Sequence, residues 1–73
     1  MIHIGNLIKV RLHEQGHTVI WLAASLNYTR VNIYKIFNRE SMDTDLLYRI
    51  SCLLQHDFFD DLSKSYHQED KNS

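Results

Sequence analysis

This sequence predicts an all-α fold of five helices, and three observations lead to that prediction. Among 73 residues there is no proline and only two glycines, so little interrupts helical backbone. Apolar residues recur at three- and four-residue spacing through most of the chain, which is the period of a one-sided helix. No stretch alternates apolar and polar residues as a half-buried strand would, and no repeat or low-complexity tract competes. The length allows one domain, bounded at residues 1–62, with 63–73 read as a polar C-terminal tail expected to fray. A chain this short buries only ~60% of the surface its unfolded form exposes, which favours action on an outer face over an enclosed cofactor pocket.

Ile4, Leu7, Ile8 and Leu12 keep the spacing i, i+3, i+4, i+8, predicting a first helix over about residues 3–15 with Gly16 as a left-handed stop. Thr18 is placed to cap a second helix through Val19, Leu22, Ala23 and Leu26, and Asn27, which tolerates positive φ, ends it. Thr29 caps a third helix over about 30–38, with Ile33, Ile36 and Phe37 on one stripe. After the polar segment 38–42, Asp43 or Thr44 caps a fourth helix whose Leu46, Leu47, Ile50, Leu53 and Leu54 form a strong apolar face. Asp57 caps a short fifth helix carrying Phe58, Phe59 and Leu62, with Asp60 and Asp61 at the positive end of its dipole. Leu22, Ala23, Ile33, Ile36, Ile50 and Leu54 share inward stripes and are expected to form one core joining the second, third and fourth helices.

The formal net charge of −1 conceals an uneven distribution. Residues 1–41 carry Lys9, Arg11, Arg30, Lys35 and Arg39 against Glu14 and Glu40, a net +3. Residues 42–73 carry Arg49, Lys64 and Lys71 against Asp43, Asp45, Asp57, Asp60, Asp61, Glu69 and Asp70, a net −4. Two solvated faces of unlike sign fit these counts, and so does a basic working half on an acidic support.

Several classes of function are disfavoured. The single cysteine, Cys52, forbids an internal disulfide framework and an all-cysteine zinc site; a reducing cytoplasm is its simplest home, and inside helix four it is expected to pack as a small hydrophobe. The longest apolar run, Val19 to Ala24, is far short of the ~20 residues that span a bilayer, and no signal peptide is read at the N-terminus. His13 and His17 have the spacing of paired metal ligands, but no third ligand accompanies them, so solvated histidines are expected and no metal. Asn27-Tyr28-Thr29 matches a glycosylation acceptor by chance, its residues being needed for the turn and cap. No strained serine elbow, glycine-rich phosphate loop or HExxH motif is present, so neither an enzyme nor a cofactor or small-molecule ligand is expected. Ile20 and Trp21 lie off the inward stripe of helix two, so that helix needs cover on a second side, from helix five or the tail or from another protein.

Helix three carries the functional signal. At 100° per residue, Val31, Tyr34, Lys35 and Asn38 fall opposite its buried stripe and Asn32 borders them, while Arg30 projects from the first turn. Such a face is either an ordinary solvated one or a hydrogen-bonding set suited to base edges and phosphates.

Residues 16–37, GHTVIWLAASLNYTRVNIYKIF, resemble the Cro/repressor-type helix-turn-helix family of bacterial and phage regulators, also called the xenobiotic-response-element family. Thr18 stands at the family's first cap, Leu22-Ala23 at its Leu-Ala pair, Asn27 at its turn, Thr29 at its second cap, and Ile33 and Ile36 at its next apolar positions. LLYRISCLLQHDFFDDL is similar to its fourth and fifth helices, extending the resemblance over about residues 3–62. The resemblance implies a compact lambda-repressor-like domain, a cytoplasmic transcriptional regulator with no catalytic step that places helix three in the major groove of duplex DNA. It implies that Thr29 caps the recognition helix, that Arg30, Val31, Tyr34 and Lys35 face the groove, and that Asn32, Asn38 and Arg39 lie near phosphates. A homodimer reading two half-sites ~34 Å apart is implied as well. Its interface is expected at Phe58, Phe59 and Leu62, unless these three cap the monomer's own core.

The chain departs from the family at Val19, where glutamine is common, and at Asn27, where glycine is common. Valine cannot donate a hydrogen bond, so a contact from helix two is missing or supplied by another residue. The alternative is a protein-interaction module of the same fold, antitoxin-like or an adaptor, that uses Ile20, Trp21 and the Phe58/Phe59 region.

Overall fold

In the computed structural model, which describes residues 2–72, the chain forms five α-helices: α1 (Ile4–Glu14), α2 (Val19–Leu26), α3 (Arg30–Phe37), α4 (Thr44–Leu54) and α5 (Phe58–Asn72). There is no strand among the described residues. Each helix begins where a side chain satisfies a first-turn N–H that has no partner within the helix. The Thr18 hydroxyl accepts from the Trp21 N–H at 3.0 Å, the Thr29 hydroxyl from Asn32 at 3.2 Å, the Asp43 carboxylate from Leu46 at 3.2 Å and the Asp57 carboxylate from Asp60 at 3.0 Å. At α1 the cap is His3, whose Nδ1 accepts from Asn6 at 3.0 Å.

The stops are equally local. Gly16 follows α1 at φ 75°, Asn27 ends α2 at φ 59° and Gln55 ends α4 at φ 50°. Asn27 and Gly16 are the expected left-handed residues; Gln55 takes this conformation without the short side chain that usually favours it.

Fourteen side chains make up one buried core, to which all five helices contribute. Leu22, Ala23, Ile33, Ile36, Ile50 and Leu54, the six expected to join α2, α3 and α4, are all buried in it. Ile4, Ile8 and Leu12 add the inner face of α1, and Phe58 closes the core from α5, wholly buried. α1 docks unusually tightly on the far end of α3: the Gly5 N–H donates to the Arg39 carbonyl at 2.9 Å and the Ile4 N–H to the Glu40 carbonyl at 3.3 Å. From the other side, the Arg49 guanidinium of α4 donates to the last carbonyl of α2, Leu26, at 3.4 Å, and Gln15 donates to the Leu54 carbonyl at 2.7 Å.

Two expectations need correction. α5 runs to Asn72, so it is not a short helix, and the boundary drawn at residue 62 falls inside it. Residues 63–72 contain neither glycine nor proline, and the Lys64 ammonium lies 3.0 Å from the Asp60 carboxylate one turn earlier, so helical backbone continues. Cys52 does not pack in the core; it is exposed on the outer side of α4. Trp21 packs against the core and carries the His17 ring, which stacks on its indole with centroids 3.8 Å apart and planes 9° from parallel.

Candidate functional site

α2 and α3 are joined by three residues, Asn27, Tyr28 and Thr29. The Tyr28 N–H donates to Ala23 at 2.8 Å and that of Asn27 to Ala24 at 3.2 Å, so the last carbonyls of α2 are satisfied as the chain leaves the left-handed Asn27. Thr29 then restarts the helix at once. Ile33, Ile36 and Phe37 anchor α3 by its inner stripe, and everything else on this helix faces outward.

All eight residues expected to form the site, Thr29, Arg30, Val31, Asn32, Tyr34, Lys35, Asn38 and Arg39, are exposed. Val31 is 62% exposed and Tyr34 54%, values that only an outward-pointing apolar or aromatic side chain can reach. The Tyr34 ring is braced edge-on against Phe37 with centroids 6.2 Å apart, which holds it upright on the helix. Among the described residues, no acidic side chain pairs with Arg30, Lys35 or Arg39.

α3 stands as a ridge between two grooves. On the α4 side, Asn32, Lys35 and Arg39 line a shallow depression with Tyr28 and Asp43. One Asp43 carboxylate oxygen is engaged with the Leu46 N–H, so the acid serves the cap of α4. Asn38 lies apart from Asn32 and Arg39, turned to the α1 side with His3, Asn6 and Lys9. Arg39 has its backbone fixed by the Gly5 hydrogen bond while its side chain is exposed, a firm base for a long reach.

The second groove, on the α1 side of α3, was not among the expected site residues. It is an open cleft of about 760 Å³ with Val10, Val19 and Phe37 on its walls, Tyr34 at its α3 edge, and Lys9, His13 and His17 among its polar groups. The i, i+4 spacing of His13 and His17 is visible in the sequence. Its meaning depends on α1 folding back alongside α3, which no local pattern specifies.

Among the described residues no three His, Cys, Asp or Glu side chains gather as a metal site, and no helix is long and apolar enough to cross a membrane. Compared with protein-family models, curated proteins and solved structures, the chain has no match.

Proposed function

We propose that this chain is a sequence-specific DNA-binding regulator of lambda-repressor-like design, in which α2 and α3 act as a helix-turn-helix and α3 enters the major groove. The observation that carries this reading is the outer face of α3: polar and cationic side chains on a ridge of one helix, with no ion pair on its cations among the described residues. The major groove, ~12 Å wide, admits one helix, and a flat or concave surface could not reach its floor. Arg30 from the first turn and Lys35 from the middle of the exposed face pair with guanine O6 and N7. Val31 meets a thymine methyl, since its side chain offers only apolar contact. Asn32, Asn38 and Arg39 hold phosphates on the flanks, and Thr29 keeps the helix start rigid.

The regulator works by occupying its site, without a covalent step, and it binds as a homodimer because one such helix covers only a few base pairs. Val19, first in α2, supplies no donor, so any backbone contact from that region falls to its neighbours. A protein-interaction module of the same fold would depend on Ile20, 61% exposed, because Phe58 is wholly buried and Phe59 and Trp21 pack against the core.

The experiment is selection from a random duplex pool followed by salt titration on the selected and scrambled sequences. A regulator selects a site and loses affinity steeply with salt as counterions are released. A protein-interaction surface selects no sequence and responds weakly to salt.

A further inference from the structure

The groove between α1 and α3 brings a lysine and two histidines together beside the exposed face of α3. Among the described residues, its titratable groups are Lys9, His13 and Glu14 from α1, His17 from the turn into α2, and Tyr34 from α3. Glu14 is the one acid lining the groove among the described residues, and it leans toward Arg11, 3.6 Å away. Histidine is the side chain that changes charge between about pH 5 and 8. Lys9 and Glu14 are of opposite sign, and each imidazole that takes up a proton adds one positive charge to the groove.

His17 is not a loose surface histidine. Its ring lies flat on Trp21 at 3.8 Å, and its own N–H donates to the Leu12 carbonyl at 3.1 Å, so ring and backbone are both fixed at the groove's edge. An indole face attracts a cation, so Trp21 is a compatible platform for a ring that meets a phosphate. Tyr34 belongs both to this groove and to the exposed face of α3. A helix seated in the major groove has a phosphate rail on each side. With α3 so seated, the Tyr34 side of the helix brings Lys9, His13 and His17 against one rail.

We propose that Lys9, His13 and His17 form a phosphate cradle for one DNA strand, with His17 held in place by Trp21, and that acidification tightens binding to duplex of any sequence. The proposal rests on the DNA-binding reading of α3.

The test measures affinity and salt slope for the selected duplex and for scrambled duplex at pH 8 and pH 6. Lowering the pH should tighten both about tenfold and steepen the salt slope by about 0.9 for each phosphate newly neutralised, up to two. The His13→Gln/His17→Gln variant should show the same affinity at both pH values. So should His13→Gln combined with His17→Phe, which keeps an aromatic ring on Trp21 but cannot carry charge. Lys9→Gln should lower the slope by about 0.9 at either pH. A pH-dependent gain that survives in both histidine double variants assigns it elsewhere, to His3, His56 or His67, and overturns the cradle. Duplex binding with no change between pH 8 and pH 6 also overturns the cradle while leaving α3 as the reading helix. Absence of duplex binding at both values overturns the two together.

Discussion

Gly5 sets how closely α1 can approach α3. A Cβ built on it would stand 2.6 Å from the Phe37 carbonyl oxygen and 2.7 Å from that of Arg39, and closer still to that of Ile36. All three are backbone atoms and cannot swing away. Alanine normally favours a helix over glycine by about 1 kcal/mol, yet Gly5→Ala should destabilise by about 1–3 kcal/mol because α1 must lift off to admit the methyl group. Gly16 is the contrasting case: nothing lies within 4 Å of an added Cβ, and only its φ of 75° matters. Gly16→Ala should cost about 1–2 kcal/mol, and Gly16→Asn less, whereas asparagine at position 5 should be no better than alanine. Thermal and denaturant melts of the four variants separate a steric glycine from a conformational one. In the core, Ile33 has no exposed surface, and Ile33→Ala should cost about 2–5 kcal/mol, a large share of the stability of so small a domain. A wild-type melting curve for that variant would refute the inward register of α3.

At the level of helices, α3 and α5 each make a claim that variants can check. Arg30→Ala or Lys35→Ala should cost about 1–3 kcal/mol on the selected duplex and relax discrimination at one or two base pairs. Arg39→Ala should weaken binding to all sequences alike and reduce the salt slope by about one. Uniform losses from Arg30 and Lys35 would remove α3 from the role of reader. On α5, the Asp60 carboxylate bonded to the Lys64 ammonium holds it above the ordinary lysine range, first through the hydrogen bond and then through charge, with Asp61 adding a little. The folded helix therefore favours charged Lys64, a preference present in full below the ordinary lysine value and lost as pH rises through the raised one. Carbon chemical shifts around Lys64 should report constant helix from neutral pH until that alkaline range, and a decline that Lys64→Gln does not show. Helix starts were legible in the sequence because Thr18, Thr29 and Asp43 each cap an N–H only three residues away. Cys52 lies about 200° around α4 from Ile50, which places it outside; on this helix position outweighs the usual burial of the residue type. The stack of His17 on Trp21, the left-handed Gln55 and the groove beside Tyr34 were not legible, because each depends on how one helix sits against another or on rotamers that spacing does not encode.

The molecule as a whole is elongated, with principal extents of 41, 21 and 20 Å, and α5 beyond its first turns is exposed at Ser63, Lys64, Tyr66, His67 and Gln68. Phe58 closes the core and Phe59 and Leu62 pack against it, so an α5-centred dimer would draw on Tyr66, 65% exposed, more than on the phenylalanines. Sedimentation should find two protomers on a selected operator, and Tyr66→Asp should lower that cooperativity without lowering the melting temperature; a lone protomer on the operator would refute the dimer. The joint between α1 and α3 bears on how the molecule opens. Amides in the first turn of a helix ordinarily exchange with solvent deuterium as fast as the end frays. Those of Ile4 and Gly5 are bonded instead to the Glu40 and Arg39 carbonyls, some 35 residues away along the chain. Their exchange rates therefore time the parting of α1 from the end of α3, and should match those of buried mid-helix amides while neighbouring termini exchange freely.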